Sequence, residues 1–542
     1  MAAGVAGGLV LLLATVVGCG GSNNTTKRST HPAHTRASSS SHGAAPARTF
    51  LGPNGVESTS VIAENRRPGT TAWEISGGGG SGHIEGFADK NYATVGENVG
   101  LYVSTTAPSF RVTAYRMGWY QGAGARQIWS SSVETGRLQP PCPLTAATNT
   151  VSCDNWALSL TVPITAAFIS GDYLLKLIAS SGEQAYVPLT IWDPSSHATY
   201  LVMARSFTEQ GWNAYGGYSF YQGQGPCPPG SNTYPVCNRA RVVSFDRPYS
   251  EGNGASDFLS NEYPIVRFAE ENGLDVTYCT DLTVQENPTT LLQHRVLLSL
   301  GHDEAWSYAE REAAQTALGK GVNMVFFGAA SVLRHVRLQA SPLGPDREEV
   351  DYRDSAEDPL NGKGDPMEVT GNTWSSAPAN WPEYDFVGET YAGFLEPGLH
   401  ASLVVADASA WIFRGTGLHD GSAIPGVIAS DVDSFYPANA HPSDLQVLSR
   451  SPIPASLGQS ALGTFSSDMT YYTDPSSGAG VLDTGTNNWI PALTGDRDGC
   501  PAAATCAAML IQRITGNVLL AFGEGPTGHG HPSAANWRAI AG

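Results

Sequence analysis

The chain has 542 residues, of which 15% are charged, with a formal net charge of −19 and with 61 glycines and 35 prolines. That length is too great for one ordinary core and implies about three domains. The acidic balance argues against nucleic acid or an anionic membrane surface as partner, and the Gly and Pro content favours strands and ordered loops over long charged helices.

Residues 1–22 read as a targeting segment. Val5–Val17 is a short apolar run, of signal-peptide length and too short to span a bilayer. It ends in Val16-Val17-Gly18-Cys19-Gly20, which resembles a bacterial lipobox. Cys19 is therefore the expected lipidation site, and a cell-surface lipoprotein the expected product. An ordinary secretory signal with an incidental cysteine is the plainer alternative. Residues 23–50 are rich in Ser, Thr, His and Asn and read as a disordered tether. The irregular spacing of His31, His34 and His42 favours a tether over a metal site. Export makes disulfides reasonable. The short separations predict Cys142–Cys153, Cys227–Cys237 and Cys500–Cys506, with Cys279 left as a buried free thiol.

Residues 51–193 are expected to form a β-sandwich domain. From residue 83 onward, short segments such as Asn98–Ser104, Phe110–Arg116 and Gly171–Leu177 alternate apolar and polar residues between Gly, Pro and Ser turns. Short strands at such intervals suggest an all-β immunoglobulin-like sandwich. Trp119 and Tyr120 suit a core or interdomain contact better than a sugar site.

Residues 194–542 change character. Thr199–Ala204, Leu274–Asp281, Val296–Leu300 and Val322–Gly328 are apolar strands that alternate with helix-like stretches, so an α/β layer with a mainly parallel sheet is expected. The strand Val296–Leu300 ends in Gly301, and His302, Asp303 and Glu304 follow at once. In open α/β sheets, ligands bind outside the carboxyl ends of the strands. The three residues are therefore candidate catalytic groups, with capping of the helix at Ser307 as the competing role. Trp212, Asn213, Tyr215 and Arg247 are candidate substrate-binding residues; loop packing, or an Arg247 ion pair with Asp246 or Asp281, competes. Asp431 and Asp433 sit two apart, share a face on a strand, and could suit a metal or bind loop backbone. Arg334 and His335 follow the Gly328 strand and could reach the same crevice. Gly528-His-Gly-His531 is read as solvent-exposed.

Five segments carry a family resemblance: Trp212-Asn-Ala-Tyr-Gly-Gly-Tyr-Ser, Ser244-Phe-Asp-Arg-Pro-Tyr249, Gly301-His-Asp-Glu-Ala-Trp306, Phe326-Phe-Gly-Ala-Ala330 and Gly485-Thr-Asn-Asn-Trp489. In order and spacing they resemble the C-terminal region of the large (beta) subunit of N,N-dimethylformamidase and its relatives. The preceding Tyr115-Arg-Met-Gly-Trp-Tyr120 is similar as well. The resemblance implies a glutamine-amidotransferase-like α/β domain packed on a sandwich. It also implies amide hydrolysis at a mononuclear iron held by two tyrosines and one glutamate. This chain departs from the pattern: Ala305 stands where the family commonly has Tyr, and Asp431 where it commonly has Glu. Asp431 and Tyr221 are the metal-site candidates, with Tyr215, Tyr218 and Tyr278 as alternatives for the other tyrosine. The expected function is an exported, lipid-anchored hydrolase-like protein acting on a small amide-type substrate. The alternative is a non-catalytic surface-binding lipoprotein on a degenerate scaffold. The expected partners are a small-molecule substrate and, through the lipid alone, the membrane; a homo-oligomer or a small partner subunit stays open.

Overall fold

The first strands pack into two sheets, and the larger one is buried on both faces: Val112, Leu175 and Leu177 on one, Tyr115, Met117 and Leu174 on the other. β1 (Ile84–Ala88), β3 (Asn98–Thr105) and β6 (Leu160–Pro163) form a three-stranded antiparallel sheet. A second sheet runs in the order β2 (Tyr92–Ala93), β8 (Gln184–Ile191), β7 (Gly171–Ala179), β4 (Ser109–Met117), β5 (Ala125–Ser130). Val99, Leu101 and Val103 of the first sheet and Val112, Leu175 and Leu177 of the second are buried in one shared core. These coordinates are a computed structural model that describes residues 48–75, 83–227, 236–460, 463–494 and 506–541. Ala47–Gly542 clusters as one compact unit.

The C-terminal part is built on a seven-stranded sheet in the order β10 (Val276–Thr280), β9 (Tyr200–Ala204), β11 (Val296–Gly301), β13 (Asn323–Gly328), β19 (Gly480–Asp483), β18 (Phe465–Thr473), β17 (Gln446–Ile453). The first five strands are parallel; β18 and β17 are antiparallel, so the sheet is mixed. Both faces are covered, which is why these strands read as continuous apolar runs. Val296, Leu298 and Leu300 face a core shared with α2 (Tyr263–Glu271) and α5 (Ala507–Gly523), whereas Leu297, Met324 and Phe326 face one shared with α4 (Tyr308–Leu318).

The two parts meet through buried charge. Arg116 of β4 places Nη2 2.5 Å from Glu270 Oε1 of α2, and Tyr120 receives a hydrogen bond from Arg116 Nη1 at 3.0 Å. Both arginine and glutamate are buried, so Tyr115–Tyr120 packs between the N-terminal sheets and α2. The Cys142–Cys153 and Cys227–Cys237 disulfides are formed and Cys279 is free and buried. Cys500 of the third expected pair, Cys19 and the 1–47 segment lie outside the described residues. Among the described residues no helix is long and apolar enough to cross a membrane.

Candidate functional site

The chain turns sharply where β11 ends. Gly301 has φ +58°, and a Cβ there would stand a tight 3.0 Å from the Asn261 carbonyl oxygen, so glycine is favoured. His302 and Glu304 then point the same way and Asp303 the opposite way. Thr208 Oγ1 on α1 (Ser206–Trp212) accepts hydrogen bonds from the backbone N–H groups of Glu304 and Ala305, each at 2.9 Å. β12 (Ala305–Ser307) pairs in parallel with β14 (Arg334–Ser341) and sets Arg334 beside Glu304. The cap of α4 is made by Ser307 and Glu310, which leaves His302 and Glu304 free of that task.

Asp431 arrives from the far end of the chain. β16 (Asp431–Ser434) pairs antiparallel with β15 (Thr390–Leu395), which also brings Tyr391. His302 Nε2 lies 3.3 Å from Glu304 Oε2 and 3.6 Å from Asp431 Oδ2. Tyr391 is hydrogen-bonded to Asp431, and Asn487 Nδ2 donates to Asp431 Oδ2 at 3.1 Å. On the other side, Glu304 Oε2 accepts from Tyr221 and, at 3.1 Å, from Trp212 Nε1, while Oε1 accepts from Arg334 Nε at 3.0 Å. All of these groups except Asn487 line a pocket of about 640 Å³. Its loops are strained: Ala330, Val332 and Ser430 have φ of +56°, +57° and +58°. Left-handed non-glycine residues of this kind concentrate at functional sites. Asp433 pins the first loop by accepting from Ala330 N at 2.8 Å.

The charges around His302 set three carboxyl–imidazole states. Burial works against the imidazolium, but the Glu304 hydrogen bond and the Asp431 and Glu304 charges outweigh it and raise the His302 pKa. Burial also opposes ionised Glu304, yet His302, then Arg334 and Arg353, hold it far below the usual carboxylate range. Asp431 is raised by burial and by the Glu304 charge, with His302 opposing. Glu304 is thus a fixed anion, and Asp431 the softer acid.

The pocket gathers His302, Glu304, Asp431, Trp212 and Tyr221. Several other candidates lie elsewhere. Asp303 is fully buried on the opposite side, accepts from Ser299 Oγ at 2.7 Å, and is pushed up to about 6 by burial. Residues 302 and 304 share a side only because 303 faces away. Asn213 is spent on Gln210 and the Pro248 carbonyl. Tyr215 donates to Glu85 of β1 at 2.8 Å. Arg247 donates to the carbonyls of Asn213, Tyr215 and Tyr218, and burial lowers it to about 10; Asp246 pairs with Arg347 instead. Tyr278 is buried on Glu270. Arg334 reaches the site, whereas His335 stacks on Trp374. Sequence reasoning missed Tyr391, which sits in a stretch that reads as loop, and Asn487, whose signal was the Gly485–Trp489 motif.

Of the implied iron donors, the tyrosine expected at position 305 is missing, and the oxygen donors that line the pocket are Tyr221, Tyr391, Glu304 and Asp431. Ala305 is buried in an apolar cluster with Phe207, Phe220 and Phe245 and does not line the pocket. Both Glu304 oxygens are engaged, one by a guanidinium. Tyr221 donates to Glu304, and burial and the Glu304 charge raise its pKa.

A family model described as "N,N-dimethylformamidase beta subunit-like, C-terminal" matches residues 111–502. The match runs from β4 through every pocket residue. No curated protein matches the chain. Among solved structures, murine CEACAM1b is similar at 12% identity and a TM-score of 0.12, covering 22% of this chain and 57% of that one.

Proposed function

The chain belongs to the N,N-dimethylformamidase beta subunit-like, C-terminal family, and from that premise we propose that it is an exported, lipid-anchored hydrolase acting on a small amide-type substrate. The observation that carries this reading is the convergence of His302, in the turn after β11, and Asp431, the first residue of β16, in one pocket. Asp431 accepts a proton from water as the water oxygen attacks the amide carbonyl carbon. His302 gives a proton to the leaving nitrogen as the C–N bond breaks, and a carboxylic acid and an amine result. Glu304 is a positioning residue: clamped by Arg334, it orients the imidazole. No step is routed through a metal, because Ala305 stands where the implied donor set has a tyrosine.

The apolar run before Cys19 and the polar stretch after it support export and lipid attachment. An immunoglobulin-like form for the N-terminal sheets and a glutamine-amidotransferase-like form for the C-terminal sheet belong to the same proposal. The non-catalytic alternative has one observation in its favour: both oxygens of Glu304 are already engaged. Amine release by the purified full chain from a panel of formamides, acetamides and aryl carboxamides decides between them. Release from at least one supports the hydrolase; binding with no release from any leaves the binding protein. Cys19→Ser should move the protein from the membrane fraction to the medium; wild type already soluble in the medium would refute the anchor.

A further inference from the structure

The pocket that holds His302 and Asp431 is much larger than a formamide needs. Its volume of about 640 Å³ lies in the range that encloses drug-sized ligands. One side is a fixed aromatic platform. The Trp212 indole stacks on Tyr221 with centroids 3.6 Å apart and planes 10° apart, and the Arg353 guanidinium covers the other Tyr221 face at 3.9 Å. Trp212 is nevertheless 44% exposed, and its ring centroid lies 5.6 Å from that of His302. A rigid, exposed ring beside the reacting group can take up a flat apolar surface at little entropic cost. The lining also includes Phe394, Leu395, Pro397 and Leu399, and Leu399 is 38% exposed.

The charges in the pocket point the same way. Arg334 is committed to Glu304 and Asn372, and His302 to Glu304 and Asp431, while the third basic side chain of the lining, His400, is exposed beside Leu399. Glu304, Asp431 and Glu396 line the cavity as acids. A ligand carboxylate would meet these acids with no free guanidinium to receive it.

We propose that the pocket takes a neutral carboxamide bearing an aromatic or extended apolar substituent, seated between Trp212 and the Phe394–Leu399 wall. The proposal rests on the hydrolase reading for the identity of the reacting group; the seating of the substituent rests on the pocket alone.

Calorimetric binding to the purified full chain tests it without turnover. The probes are acetamide, butyramide, hexanamide and benzamide, with benzoate and the monoamide of terephthalic acid as charged controls. Affinity should rise along the neutral series by about fourfold for each buried methylene. The charged controls should bind at least about tenfold more weakly than benzamide. Trp212→Ala and Leu399→Ala should each weaken benzamide by about fivefold or more; Leu399 is on the rim, so its variant keeps the test valid if Trp212→Ala fails to fold. Equal affinity across the neutral series, tighter binding of the charged controls, or a Leu399→Ala variant that binds benzamide as wild type would overturn the proposal. The two readings fail separately. Graded binding without amine release removes the hydrolase and leaves the seating; amine release with equal binding across the series does the reverse.

Discussion

His302 Nε2 lies 3.6 Å from Asp431 Oδ2, although the two residues come from the end of a parallel strand and the start of an antiparallel one. Each is held from behind, His302 by Glu304 and Asp431 by Tyr391 and Asn487. If this pair moves the protons of amide hydrolysis, His302→Gln and Asp431→Asn should each lower amine release by about 10²–10⁴-fold. Tyr391→Phe, which removes one hydrogen bond to the carboxylate, should have a smaller effect, about tenfold. Circular dichroism and urea midpoints close to wild type must accompany these losses. A His302→Gln enzyme with wild-type turnover would remove the imidazole from the mechanism.

The Arg116–Glu270 pair ties the N-terminal sheets to α2 from inside the protein, with Tyr120 and Tyr278 completing its hydrogen bonds. Removing one partner leaves the other charge buried. Arg116→Ala or Glu270→Ala should therefore cost about 3–5 kcal/mol. The double variant Arg116→Met with Glu270→Leu should recover much of that loss. Urea unfolding of the three proteins checks this; equal losses in single and double variants would show that lost packing dominates.

Much of this site could be read from the sequence because it sits at a strand end. The apolar run Val296–Leu300 and the left-handed glycine after it place His302 and Glu304 where an α/β sheet leaves its crevice. The fate of Asp303 was legible in principle, since neighbouring residues in extended backbone face opposite ways. Tyr391 was not legible. Its place follows from the register of β15 against β16, where Tyr391 lies opposite Asp433 across an irregular pairing, and no local pattern encodes a non-local register. Arg247 was misleading for a different reason. A buried arginine among polar loops suggests a ligand carboxylate, but here three backbone carbonyls take its donors. The antiparallel strands β17 and β18 were invisible because the loop-rich stretch before them hides the change of direction.

The Cys142–Cys153 disulfide closes a short loop, and its Cα atoms are 4.5 Å apart. Cys153 is fully buried and packs with Phe87 and Trp156 of the N-terminal sheets. Its removal therefore loosens the core as well as freeing the unfolded chain. Replacing both cysteines by Ser should cost about 2–4 kcal/mol. Replacing both by Ala should cost less, because no hydroxyl is then buried at position 153. Denaturant midpoints of the two double variants give the comparison, and the reverse order would contradict the burial argument.

His335 offers a test of stability against pH. It is 1% exposed, stacks on Trp374 at 3.7 Å, and has Arg311 over the same indole. Burial, with the Arg311 and Arg337 charges adding to it, lowers its pKa to about 3. An unfolded histidine titrates near 6.5, so between these values the unfolded chain holds a proton that the folded chain lacks. Stability from this group is complete above about pH 6.5 and is lost as pH falls toward 3, by about 2 kcal/mol at pH 5. His335→Phe keeps a ring on Trp374 and removes the titration. The buried carboxylates are common to both proteins and cancel in the difference. Between pH 7 and pH 5, wild type should therefore lose about 2 kcal/mol more than the variant in urea unfolding. If the two curves stay parallel, His335 is protonated as readily in the folded protein as in the unfolded one, and the stacked, neutral imidazole is wrong.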